Sequence, residues 1–114
     1  MRAQQYGILC SVALLAQPLT AATTYGTGAR SCGTWLDEEK KGTSDILPHY
    51  AWLGGYISAF DVWMSTNGNA GDQSDLEGMV GWISDYCRSH PLDTVATAAA
   101  GLVIELEKRA RAKK

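Results

Sequence analysis

Two cysteines set the tightest limit on what this chain can become. Three are present, but Cys10 lies inside an apolar run, Gly7 to Ala16, that follows a basic start at Arg2 and leads to the small-residue exit Gln17-Pro18-Leu19-Thr20-Ala21-Ala22. Such a segment reads as a secretory signal. At about ten residues the run is half of the roughly twenty apolar residues that a membrane-crossing helix needs. Cys10 stands mid-run behind Ile8 and Leu9 rather than behind small residues at its end, so the lipoprotein pattern fails. Cleavage after Ala22, or after Ala21, leaves Cys32 and Cys87 as an even pair outside the reducing interior, where one disulfide is expected. The competing reading is two separate thiols; a redox enzyme would show a CxxC pair, and none is present. Closing so long a loop stabilises a fold by about 4 kcal/mol on the chain-entropy account.

What remains after residues 1–22 is one domain's worth of chain, too short for two cores. Without Arg2 its basic residues fall short of the twelve acids, and a mildly acidic domain gives no reason to expect nucleic acid as a partner. Residues 31–108 are expected to form a single helical domain behind a Thr- and Gly-rich lead-in. Residues 109–114 are expected to trail as a basic C-terminal tail.

Periodicity supplies the elements. Thr34 is the expected cap of a short helix that Gly42 ends. A long helix from Ser44 to near Met64, with Asp45 and Pro48 close to its start, places Ile46, Tyr50, Leu53, Ile57, Phe60 and Met64 on one arc. Trp52, Tyr56 and Trp63 form an adjoining stripe. Gly54-Gly55 lowers helix propensity by about 1 kcal/mol per glycine, which a bend or a close backbone approach would explain. A polar loop covers residues 65–74. Ser74 with Glu77 then reads as a capping box for a helix to about Arg88, with Leu76, Met79, Val80, Trp82, Ile83, Tyr86 and Cys87 on its core side and Glu77, Ser84 and Asp85 facing away. The last helix is expected to start at His90-Pro91-Leu92-Asp93, with Val95, Ala99, Leu102 and Leu106 on one face. The fold class is therefore all-α: a small orthogonal bundle of about four helices with one disulfide.

Chemistry-bearing motifs are sparse. No HExxH, phosphate loop or nucleophile–His–acid spacing is present, so neither an enzyme nor a cofactor is expected. His49 is expected at the surface of a first helical turn, and His90 in a linker or cap, where it could sense pH. Asn67, Asn69, Asp72 and Asp75 lack the spacing of a calcium loop and read as a solvated turn. Asp61 falls at the margin of the apolar arc, where it either reaches water at the rim or, if partly buried, needs a partner; in the second case protonating it at low pH would help loosen the packing. Trp52, Tyr56 and Trp63 mark either core packing or an interaction surface.

The run Cys32-Gly33-Thr34-Trp35-Leu36, a Trp52-containing helix, and Trp82-Ile83-Ser84-Asp85-Tyr86-Cys87-Arg88-Ser89-His90-Pro91 together resemble the periplasmic acid-stress chaperones of the HdeA/HdeB kind. That resemblance implies a periplasmic stress-response protein that is a folded homodimer near neutrality. In acid it would open and hold unfolding client proteins soluble. A second resemblance, through Leu53-Gly54-Gly55-Tyr56-Ile57-Ser58 and the alanine-rich last helix, is to the Tai immunity proteins, which implies one specific partner, a secreted effector. A third reading is a periplasmic structural or interaction protein of neither family; on every reading the partners are other proteins, with no stable membrane insertion once the signal is removed.

Overall fold

The computed structural model describes residues 23–114; the segment expected to be a secretory signal and its expected cleavage site lie outside them. Four helices form an all-α bundle: α1 (Cys32–Lys41), α2 (Thr43–Trp63), α3 (Leu76–Ser89) and α4 (Val95–Ala112). Two short 3-10 turns, Gly26–Ala29 and Ala70–Gln73, lie before α1 and between α2 and α3.

Each helix end has a local cause. Ser31, not Thr34, caps α1: its hydroxyl accepts from the Thr34 N–H at 3.1 Å. The next free N–H groups of that helix find carbonyls in the turn before α4, Cys32 N–H to Asp93 O at 2.7 Å and Gly33 N–H to Pro91 O at 3.2 Å. Gly42 ends α1 and starts α2 at φ 121°, a left-handed backbone that side-chain-bearing residues avoid. Pro48 lies in the second turn of α2, where it withholds the N–H that would bond the Ser44 carbonyl. Asp75 rather than Ser74 caps α3, its carboxylate accepting from Gly78 N–H at 2.8 Å. A cap at Asp75 shifts the register by one residue, so the Ser74–Glu77 capping box does not form. Thr94 caps α4. The expected start at His90 fails because residues 90–94 are instead engaged in a turn that clips onto α1, including an isolated bridge between Ser31 and Thr94.

The core gathers Trp35 from α1, Ile46, Leu53 and Ile57 from α2, Met79, Val80 and Ile83 from α3, and Val95, Ala98, Ala99, Leu102 and Leu106 from α4. At its edge the Cys32–Cys87 disulfide joins the start of α1 to the end of α3, with Cα atoms 4.8 Å apart. The expected staple is therefore in place.

Several expected positions are corrected. Ser84 faces the core, because α1 lies across α3 and brings the Trp35 indole N–H to its hydroxyl at 2.9 Å; that hydroxyl donates onward to Glu39 at 3.0 Å. Leu76, at the first turn of α3, stays partly exposed. Gly54 and Gly55 face open space: a Cβ at either would meet nothing within 4 Å, so no backbone approaches there. The close approach is at Gly28, where a Cβ would overlap the Trp52 indole. Finally, α4 runs through Ala112 with Ala110 buried, so most of the segment expected as a basic tail is helix.

Candidate functional site: an apolar face at the end of α2

The stripe Trp52–Tyr56–Trp63 divides into a covered half and an open half. Trp52 and Tyr56 stack with ring centroids 5.2 Å apart. The lead-in turn lies over Trp52, whose indole N–H donates to Tyr25 O at 2.9 Å, and the glycines of that turn let the backbone come this near. Trp52 is accordingly a packed residue and not part of an open surface. About three turns further along α2 the cover has ended, and Trp63 is 82% exposed. Met64, expected in the core arc, is 67% exposed, because the chain leaves the helix there and nothing packs opposite. Ile104 of α4 adds a third large apolar residue at 68% exposure.

Two adjoining hollows follow. One, of about 280 Å³, is bounded by Tyr56, Ala59, Phe60, Trp63 and Met64. The other, of about 260 Å³, lies between α2 and α4, bounded by Phe60, Met64, Thr66, Val103, Ile104, Glu107 and Arg111. Phe60 and Met64 stand between them and belong to both.

Glu107, absent from the expectations drawn from the sequence, anchors the second hollow. It is buried on α4, and its carboxylate accepts from Ser65 Oγ at 2.5 Å, from Thr66 Oγ1 at 3.1 Å and from the Asn67 amide. Those hydrogen bonds, led by Ser65 and Asn67, hold its carboxyl below the ordinary value of 4.5 against the opposing push of burial. The segment after α2 is thus tied down by one carboxylate. A signal was available: Ala99, Val103 and Glu107 recur at i+4, which carries the buried face of α4 straight to the acid.

The remaining predicted positions are scattered. Asp61 is half-buried and accepts from Gly71 N–H at 3.2 Å, holding the 3-10 turn against α2. His90 is exposed at the C-cap of α3, stacked on Tyr86 at 4.2 Å. The two do not share a site with each other or with the apolar face. His49 corrects its surface assignment: its exposure is 0%, because α1 folds back over the first turns of α2. There it meets Trp35 edge-on at 5.1 Å and pairs through Nε2 with Glu38, while Nδ1 has no partner among the described residues. The bond to His49 is the main reason the Glu38 carboxyl lies below its ordinary value, with Arg30 adding to it at 2.6 Å. In the loop, Asn67 serves Glu107 and Asp75 serves as a cap.

No group of three or more His, Cys, Asp or Glu comes together in metal-holding geometry among the described residues. None of their helices is long and apolar enough to cross a membrane. Set against known families, characterised proteins and solved structures, the chain matches no family model, no characterised protein and no solved structure. Fold and site together describe a small disulfide-stapled helical protein with an open apolar face.

Proposed function

We propose that this is an exported, non-enzymatic protein-binding module that engages another protein through the face formed by Tyr56, Phe60, Trp63, Met64 and Ile104. One observation carries the reading: a tryptophan, a methionine and an isoleucine from two helices stand exposed side by side around two hollows, whereas the three other tryptophans, Trp35, Trp52 and Trp82, are buried or half-buried. Exposed tryptophan beside formed pockets is the usual composition of an interaction hot spot. Four carboxylates that a catalytic reading would draw on are instead engaged in holding the fold in place, which supports a binding role. Glu38 holds His49, Glu107 holds residues 65–67, Asp61 holds Gly71, and Asp93 accepts from Tyr86 OH at 2.6 Å.

A photo-activatable cross-linker placed at position 63 in the exported protein tests this at neutral pH. A discrete adduct with one other protein is expected from position 63, and none from the exposed position 97 on the far part of α4. Equal labelling from both positions, or from neither, counts against the reading.

A second reading, the acid-activated chaperone that the HdeA/HdeB resemblance implies, is favoured by the same carboxylate ties. Glu38 joins α1 to α2, while Glu107 holds the segment after α2, and both carboxyls lie below their ordinary value. Acid removes the charge from such ties, opening the bundle while the disulfide keeps the chain connected. Under this reading the protein suppresses aggregation of unrelated clients below about pH 3 and not at neutrality, a range well under ordinary carboxylate values. Suppression that is equal at both pH values would exclude it.

A further inference from the structure

We propose that the partner's contribution at this face is an acidic amphipathic helix, with apolar side chains seated in the two hollows and carboxylates beside α4. The inference rests on the protein-binding reading above and adds the chemistry of what is bound. Three observations lead to it.

The first is charge. Glu107 is the one carboxylate lining either hollow, and its oxygens are already taken by Ser65, Thr66 and Asn67. Arg111 lines the same hollow, and Lys108 lies on the same exposed side of α4 as Ile104, one turn along. Neither has a carboxylate within ion-pairing distance among the described residues, whereas Arg109 on the next face is paired with Glu105 at 3.0 Å. The rim therefore carries two cations without an ion-pair partner against one buried, hydrogen-bonded carboxylate, a net positive balance beside an apolar floor, and complementary charge at a rim sets the choice of partner.

The second is shape. Two hollows that share Phe60 and Met64 suit two apolar anchors about a turn apart, which is how an amphipathic helix engages a groove. A flat lipid surface would leave both hollows unfilled, at the loss of their contacts.

The third is symmetry. A second copy docking here about a two-fold axis would bring the basic rims of both copies into one interface, since such interfaces use the same patch on each subunit. Like charges brought together in this way oppose association.

The test uses the disulfide-bonded protein at neutral pH and three probes followed by fluorescence anisotropy or co-sedimentation. These are a designed amphipathic peptide of roughly 18 residues, long enough to form a helix on docking, with Leu and Trp on one face and Glu on the other; its counterpart with Lys for every Glu; and vesicles of phosphatidylcholine with phosphatidylglycerol. The acidic peptide is expected to bind at least about tenfold more tightly than the Lys peptide, a difference of about 1.4 kcal/mol. Trp63→Ser and Ile104→Ser, both at exposed positions, should each weaken it about tenfold with an unchanged circular dichroism spectrum. The double change Lys108→Glu/Arg111→Glu should transfer the preference to the Lys peptide. Equal or tighter binding of the Lys peptide, still lost on Trp63→Ser, would overturn the acidic partner while leaving the protein-binding face intact. Binding to the vesicles alone, binding to no probe, or a Trp63-dependent dimer in sedimentation would overturn both.

Discussion

Single buried polar atoms carry much of the specificity of this small core. The Trp35 indole N–H has Ser84 Oγ as its acceptor, and the same hydroxyl serves Glu39. Ser84→Ala removes both bonds at once and leaves a buried donor unpaired, a loss of about 1–3 kcal/mol; a lowered urea midpoint with an unchanged m-value would register it. Glu107 makes a sharper, pH-dependent case. Its folded carboxyl titrates below the ordinary value of 4.5 because Ser65, Asn67 and Thr66 donate to the ionised form. A depressed folded pKa stabilises the fold fully above the unfolded value and ceases to do so as pH falls through the folded one. Glu107→Gln is therefore expected to lower Tm by several degrees near neutrality, the gap from the unmodified protein narrowing below about pH 4.5. A gap that stays constant down to pH 2 would remove Glu107 from the acid-sensitive ties.

Helix boundaries respond to backbone geometry at one or two positions each. Gly42 joins α1 directly to α2 at φ 121°, and this corner brings Glu38 to His49. Gly42→Ala should cost about 1–3 kcal/mol by strain at that angle, with faster amide exchange in the first turns of α2 as the local readout. At the start of α3, Asp75→Ala removes the acceptor for Gly78 N–H and should cost about 1 kcal/mol. Ser74→Ala, by contrast, should change stability little, since the Ser74 hydroxyl donates to the Asp75 carbonyl and does not cap the helix. Comparing the two thermal midpoints separates the observed cap from the one expected from the Ser74–Glu77 pattern. That pattern misled because Ser and Asp are neighbours here and both are good caps; which one caps is decided by where the 3-10 turn of residues 70–73 delivers the chain.

For the whole molecule the disulfide is the dominant covalent constraint. It ties α1 to α3, and α1 in turn covers His49 and supplies Trp35 to the core. Replacing both cysteines with serine should lower stability by about 4 kcal/mol, close to the full stability of many domains this size; a cooperative urea transition at an unchanged midpoint would contradict it. The legible part of this architecture was local or arithmetic. Helix number and rough extent follow from spacing and from punctuation at Gly42 and near Ser74, and the cysteine pairing follows from counting. Even the open face left a trace: Val62, Trp63 and Met64 are consecutive, and a helix turns 100° per residue, so one core cannot take all three. That all three stay outside was not legible, because it depends on the lead-in reaching Trp52 and stopping short of Trp63. The inward placement of His49 and Ser84 likewise required knowing that α1 crosses their faces, whereas for Glu107 the spacing signals the face and only its partners after α2 needed the tertiary structure. Periodicity and capping act within a few residues of chain, so the sequence alone determined the helices and their apolar sides. Burial is a property of what lies opposite, so only the tertiary structure decided where the apolar surface remains uncovered.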